Sequence, residues 1–404
     1  MNPTHPPLLA SLRALPRPVW ILFFGTFLNK FGSFVIPFLT IYMTRLGFSP
    51  AQAGLAIGAY GAGNFVACAV GGHLADTLGR RRTIMLSMIS GALTMLLLSQ
   101  ARTLSGFLAL SALAGLAGEF YRPASSALLA DLVPPGQRVV AFSAFRMAFN
   151  AGWAFGPATA GFLAAHSYTW LFVGDALTSL LFAAVAWFAL PRTVPAKSSA
   201  NHWAEALKAI RHDRKFHQVI CASLAIAFIF FQMISTLGLH ITSLGFSAAT
   251  YGAIISLNGV LVVFFELPLT TITRRFPARR VMAIGYALVG IGFGFLAFAH
   301  SVAEIAFAMM IFTLGEMIAI PVSSAYLADL TPPHLRGRYM GVSGLTWSFG
   351  LIFGSCLGMT LFSHSPMALW LSCGALGFVA AAIISRDIQP VGETNRCEFL
   401  DLSP

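Results

Sequence analysis

The chain has 404 residues, 57% of them hydrophobic and only 10% charged, with a formal net charge of +11. Soluble domains carry roughly 25% charged residues, so an ordinary soluble enzyme is excluded and most of the chain belongs in a bilayer. A basic balance can also signal nucleic-acid binding, but the positions of the basic residues exclude that here, as the predicted elements show.

A membrane-spanning helix needs about 20 apolar residues. Twelve such spans are predicted, near 19–43, 51–74, 83–101, 105–130, 140–164, 168–190, 218–242, 249–271, 281–299, 302–328, 339–363 and 366–385. The fold class is therefore all-α and integral to the membrane. Nothing at the start reads as a cleavable signal: the first apolar run begins after Arg17, is long, and lacks a small-residue cleavage site. Arg80, Arg81, Arg82, Arg138, Arg192, Lys197, Lys208, Arg211, Arg214, Lys215, Arg274, Arg275, Arg279, Arg280, Arg336 and Arg338 all fall in alternate loops, and Arg13, Arg17, Arg386 and Arg396 in the tails. The other loops hold only Arg45 and Arg102. This asymmetry predicts cytoplasmic termini and turns the positive charge into a topology signal. Cys68, Cys221, Cys356, Cys373 and Cys397 show no paired spacing, so neither a disulfide framework nor a metal site is expected.

One segment occurs twice. Residues 123–138 read PASSALLADLVPPGQR and residues 321–336 read PVSSAYLADLTPPHLR, an offset of 198 residues; Gly152 and Gly156 recur as Gly350 and Gly354. Two tandem copies of one hydrophobic unit predict two bundles related by an axis along the membrane normal, with the substrate site between them near the midplane. The predicted organisation is an N-terminal six-helix bundle at 1–190, a cytoplasmic linker at 191–217, a C-terminal bundle at 218–385 and a cytoplasmic tail at 386–404. Within the linker, Trp203–Ile210 has the pattern of a short amphipathic helix on the membrane surface, with a plain solvated linker as the competing expectation.

The loop after the second span reads Gly72-His-Leu-Ala-Asp76-Thr-Leu-Gly79-Arg80-Arg81-Arg82. It resembles the signature of the major facilitator superfamily, whose twelve-span fold agrees with the span count, the repeat and the linker over essentially the whole chain. The chemistry of the loop is that of a latch. Gly72 admits a neighbouring helix closely, Gly79 permits a tight turn, and Asp76 can accept hydrogen bonds at a helix N-terminus. The resemblance implies that this partner is the eleventh span, with Gly341 and Gly344, that Arg80 pairs with Asp131, and that these contacts form only when the inner gate is closed. In the second half Arg274 stands where Asp76 does and Pro277 where Gly79 does, so the second latch is degraded.

Span five carries Arg146, Asn150, Gly152, Gly156, Pro157 and Gly161. Small residues four apart let two helix backbones touch, and Pro157 bends the helix. The stretch resembles the span-five motif of drug:proton antiporters, with Ala160 and Ser143 replacing two of its glycines.

Charges inside spans cost about 2.5–3.5 kcal/mol each near the centre on insertion scales, and are paired or functional when present. They are Lys30, Glu119 with Arg122 one turn on, Arg146, Asp175, Glu266 and Glu316. The resemblance implies that spans one, four, seven and ten line the cavity, placing Lys30, Glu119, Arg122 and Glu316 there with Arg146 and Asn150 beside them. Arg122 holds Glu119 ionised on this view, and Glu316, with no basic neighbour in its own helix, carries the proton. The competing expectation is that Lys30, Glu119 and Arg122 form a static triad. Asp175 and His240 are further candidates, Asp175 chiefly structural. Phenylalanines crowd spans one and seven, which suits bulky amphiphiles, although most of them face lipid.

The resulting expectation is a monomeric, proton-coupled exporter of small amphiphilic molecules in a bacterial inner membrane, without cofactor, catalytic residue or nucleic-acid partner. No nucleotide-binding G-x-x-x-x-G-K run is present to couple it to ATP. The alternatives are an importer of a small nutrient, an exporter of an anionic or zwitterionic metabolite such as a metal chelator, a lipid translocator, or a non-transporting membrane sensor.

Overall fold

The computed structural model describes residues 12–134, 138–191, 203–273, 275–330 and 336–386. In chain order the helices are α1 Arg17–Phe31, α2 Val35–Arg45, α3 Pro50–Thr77, α4 Arg80–Leu98, α5 Leu104–Glu119, α6 Tyr121–Leu132, α7 Arg138–His166 and α8 Thr169–Ala189 in the first half. They continue as α9 Trp203–His212, α10 Arg214–Ser235, α11 Leu237–Ser243, α12 Ala248–Thr273, α13 Ala278–Phe295, α14 Val302–Leu330, α15 Arg336–His364 and α16 Pro366–Ser385. Among the described residues eleven helical segments are long and apolar enough to cross a bilayer, with α1–α2 and α5–α6 each counted as one. The 29-residue α7 occupies the remaining place in the sequence of twelve.

Three predicted spans are broken rather than continuous. Span one stops at Gly32 and restarts at Val35, and the backbone N–H of Val35 donates to Asp175 Oδ2 at 3.4 Å. Span four breaks at Phe120, where Ser87 Oγ of α4 donates to the Ala117 carbonyl (2.7 Å) and accepts from the Tyr121 N–H (3.2 Å). Span seven breaks at Thr236, whose hydroxyl donates to the Gln232 carbonyl at 3.0 Å. Backbone groups freed by a break in hydrocarbon must find partners within the protein, and here polar side chains at or beside each break supply them.

The repeat extends to the loops at the end away from the arginine-rich loops. Leu46-Gly-Phe-Ser49 recurs as Leu244-Gly-Phe-Ser247. Gly47 and Gly245 both take the left-handed conformation (φ 92° and 88°) that glycine adopts without strain. Ser49 and Ser247 then cap the next helix, accepting from Gln52 N (3.2 Å) and Thr250 N (3.1 Å). At this far end the halves meet: α2 packs against α10 and α11, and Phe38 lies edge-on to Tyr251 with ring centroids 5.1 Å apart.

Two long seams join the halves, α3 against α15 and α7 against α12. Both are lined with small residues. A Cβ added at Gly54 would lie 2.5 Å from Met359 Cβ, and one at Gly259 would run into the backbone of Ala154. Within each half the pattern repeats: Gly152 and Gly156 of α7 lie against the backbone of Phe27–Phe31 in α1, and Gly350 of α15 against Ala227 in α10. Gly161 faces α12 instead, against Ala249.

The α3–α15 seam does not persist to the basic end. Gly54, Gly58 and Gly61 touch Met359, Cys356 and Leu351 in turn, and Phe65 meets Phe349 at 5.8 Å, but a Cβ at Gly72 or Gly344 would meet open space. The helices splay there, so this conformation is closed at the far end and open at the basic end. Gly72 is not a close-approach point in this state, contrary to the expectation from its motif: a Cβ there would meet nothing within 4 Å.

Helix α9 covers Trp203–His212 and packs on α10 and α15, with Ile210 buried, and span seven starts at Arg214. Residues 192–202 and the tail beyond Arg386 lie outside the described residues.

Gly259→Leu should lower thermal stability markedly, since overpacking costs about 1–3 kcal/mol, whereas Gly72→Ala should leave the melting temperature of the purified protein unchanged. Melting followed by tryptophan fluorescence in detergent checks both.

Candidate functional site

The first half buries one carboxylate among cations. Glu119 ends α5, just before the Phe120 break. Its Oε1 receives Lys30 Nζ at 3.1 Å and the hydroxyl of Tyr60 at 3.0 Å, while Arg122 Nη1 stands 3.8 Å from Oε2. Lys30 is buried on α1, and its ammonium also lies over the rings of Phe149 (5.1 Å) and Tyr121 (5.6 Å). Lys30, Glu119 and Arg122 are thus brought together as the sequence suggested. Arg122 is not the principal partner, however: Lys30 is nearer and far more buried, while the Arg122 side chain is 53% exposed. A surface-exposed guanidinium at that distance is largely screened by water.

The second half buries its carboxylate among neutral groups. Asn258 Nδ2 of α12 donates to Glu316 Oε2 at 2.7 Å and to Thr313 Oγ1 at 3.0 Å. Among the described residues no cation forms an ion pair with Glu316. The two carboxylates are near-equivalent in the 198-residue register, and so are their neutral partners: Tyr60 and Asn258 occupy the same repeat position. Neither partner stood out from sequence, although comparing the two halves position by position would have found both. The Lys30 position, by contrast, holds Phe228 in the second half, and that difference sets the two environments apart.

Arg146 and Asn150 do not join either cluster. Arg146 forms an ion pair with Glu266 across the α7–α12 seam, a pairing between halves that sequence spacing does not show. In the other seam the equivalent positions are Cys68 and Gly344, without charge. Pro157 lies in the same seam; its carbonyl approaches Gly252, and the N–H of Ala158 donates to Ser256 Oγ at 2.9 Å.

Arg80 reaches Asp131 at 3.3 Å between Nε and Oδ2. This contact is formed while the basic end is open, which corrects the expectation that it requires a closed gate. Both residues belong to the first half, so the pair moves as one body. Gly79 does make the expected turn, at φ 90°, as the residue preceding α4. The side chains of Asp76, Arg138 and Gly341's neighbour Met340, and all of Arg274, lie outside what the structure describes. Asp175 is buried beneath the break in span one. His240 packs in an aromatic cluster of the second half, where its Nδ1 accepts from Trp370 Nε1 at 3.3 Å.

A bundle of this topology, with its polar groups gathered between two seamed halves, defines a membrane transporter rather than an enzyme. The family model for the Major Facilitator Superfamily matches residues 22–265 and 235–396, and the chain belongs to that superfamily. Its relatives include a Na(+), Li(+), K(+)/H(+) antiporter of Planococcus maritimus, 25% identical over 86% of this chain and 88% of that one. Another is the multidrug resistance protein MdtH of Aeromonas hydrophila, 24% identical over 90% and 94%. The fold matches that of the nucleoside transporter NupG with a TM-score of 0.80 at 16% identity, covering 91% of this chain and 99% of that one. The protein is a multi-pass bacterial membrane transporter that moves a small molecule.

Removing either partner of the seam ion pair strands a charge, whereas removing both does not. Arg146→Gln and Glu266→Gln should each lower thermal stability, and the double variant should recover most of the loss, with a coupling of about 0.5–3 kcal/mol. A double-mutant cycle on thermal melts measures it.

Proposed function

We propose that this transporter is a proton-coupled exporter of small amphiphilic molecules, with its basic end in the cytoplasm. The observation that carries this reading is the contrast between two buried carboxylates at nearly the same repeat position. Glu119 is held by Lys30, so taking up a proton would break an ion pair and strand a buried ammonium. Glu316 is held by Asn258 and Thr313, and gaining or losing a proton there breaks no ion pair. Arg146, the cation whose field reaches Glu316, is engaged with Glu266. Glu316 is therefore assigned the proton and Glu119 the fixed charge that organises the first half.

The cycle follows from the two seams. In the conformation described, the basic end admits substrate from the cytoplasm. Rocking about the seams opens the far end, where a proton arriving at Glu316 favours substrate release, and the return inward gives up the proton. One charge crossing 100 mV supplies about 2.3 kcal/mol, enough for modest accumulation per turnover. A relative named a multidrug resistance protein and one named a cation/proton antiporter support this reading, and the concentration of arginine in alternate loops supports a cytoplasmic basic end.

An anionic or chelating substrate is less well served. Lys30 and Arg122 share Glu119, and Arg146 is matched by Glu266, so the cluster offers one uncompensated positive charge rather than three.

Inside-out vesicles energised by respiration test the assignment. Glu316→Gln should lose proton-driven uptake of a cationic dye such as ethidium while retaining binding or counterflow. Glu119→Gln should instead impair folding or substrate binding, since it leaves Lys30 buried without its carboxylate, a change worth about 3–5 kcal/mol. The opposite pattern moves the proton to Glu119, and loss of neither activity places coupling elsewhere.

A further inference from the structure

The second half contains a cavity of about 140 Å³, lined by Ser223, Tyr286, Ser323, Ser324, Ser343 and Trp347 among others. The Tyr286 hydroxyl is buried and stands 3.3 Å from Ser323 Oγ, with Ser223 as a second partner. Ser324 at the rim is exposed, and Trp347 is held edge-on against Phe230 at 5.2 Å. Four serine hydroxyls, one phenol and an indole thus converge on one space from α10, α13, α14 and α15, and among the described residues no charged side chain lines it.

The repeat provides an internal control. At the equivalent positions the first half has Gly25, Met88, Ser125, Ser126, Phe145 and Phe149, so two of the four serines recur and two do not. Gly25 lies under the ring of Phe182, Met88 is buried, and Phe145 packs with Phe23 in a closed hydrophobic cluster. The same place in the fold keeps two serines in the first half but is otherwise closed by Phe182, Met88, Phe145 and Phe149, whereas the second half leaves it open and adds Ser223, Tyr286 and Ser343. Stability alone does not require the open version, since the first half packs without it.

We propose, building on the exporter reading, that this cavity is a substrate subsite for an uncharged hydrogen-bonding group, a carbonyl or hydroxyl, carried on a planar ring that rests on Trp347. Hydroxyls both donate and accept, so they bind such groups without selecting one charge state, and an indole face suits a flat ring. In the register of the repeat Trp347 is the counterpart of Phe149, the residue beside Lys30 in the first half. The transporter would then hold its substrate at two unlike ends, a charged group at the Lys30–Glu119 cluster and a neutral polar ring system in this pocket.

Labelling the full-length protein in liposomes tests the pocket without relying on transport. In a variant whose five native cysteines are replaced by serine, Ser343→Cys is added and its reaction with N-ethylmaleimide is followed with two probes. Norfloxacin, a planar ring ketone, should slow labelling at least threefold. Tetraphenylphosphonium, which has no hydrogen-bonding group, should not. Ser343→Phe, which installs the residue of the first half, should raise the KM for norfloxacin transport at least tenfold and leave tetraphenylphosphonium transport unchanged. Absence of norfloxacin protection, or equal protection by both probes, overturns the subsite. Transport of both probes measured in parallel separates the two ideas: transport without protection sinks the pocket and leaves the exporter, while protection without transport sinks the exporter and leaves the pocket.

Discussion

The architecture depends on close backbone contact across two seams. Lipid chains are as apolar as leucine, so membrane helices gain nothing by hiding apolar side chains from one another and associate through close packing and polar contacts instead. In α3 and α12 the faces turned to the opposite half carry Gly54, Gly58 and Gly61, and Gly252 and Gly259, at repeat-equivalent places. Small residues there provide contact area without interlocking side chains, so the two halves can rock on each other at little steric cost. The splay of α3 from α15 beyond Phe65 and Phe349 is one position of that rocking.

The seams are equivalent by descent but not in chemistry. Arg146 and Glu266 bridge the α7–α12 seam near the basic end, and the corresponding Gly344 and Cys68 of the other seam carry no charge. This ion pair adds a tie between the helices that glycine contact alone lacks, so opening at the basic end is freer on the α3–α15 side. The Arg80–Asp131 pair fits the same scheme. Lying wholly within the first half, it stiffens the short loop that follows α3 rather than sensing the opposite half, and what remains to vary with the gate is the approach of α15 itself.

Much of this was legible in the sequence. Span count, the 198-residue repeat, the clustering of arginine in alternate loops and the Gly72–Arg82 motif are local or periodic features, and they lead to the superfamily directly. The company of Lys30, Glu119 and Arg122 was legible too, because charges stranded in apolar spans have few partners to choose from. The breaks at Gly32, Phe120 and Thr236 were not. Polar residues beside them, such as Lys30, Ser33, Glu119 and Arg122, read equally well as buried groups of a continuous helix, and the groups that make the breaks tolerable, Asp175 and Ser87, come from spans remote in sequence. The Arg146–Glu266 pair was hidden for a similar reason: it joins residues 120 positions apart across an interface, and nothing in either helix alone points to the other.

The duplicated fold explains how one transporter can separate two tasks. A symmetric pair of halves would place identical groups on both sides of the cavity and hold a proton and a substrate in the same way on each. Here every polar difference lies at a matched position: Lys30 against Phe228, Tyr60 against Asn258, Phe145 against Ser343, Phe149 against Trp347. The first half has the buried ion pair and a filled aromatic core behind it, which makes it rigid and permanently charged. The second half has a carboxylate among neutral partners and a hydroxyl-lined hollow, and on the proposed assignment it changes protonation without breaking an ion pair. Packing requires the shared glycines and capping serines, and these have stayed alike. The residues that diverged lie both in the buried polar clusters, as Lys30 and Phe228 do, and in the seams, as Arg146 and Gly344 do, places where packing leaves the side chain free to vary.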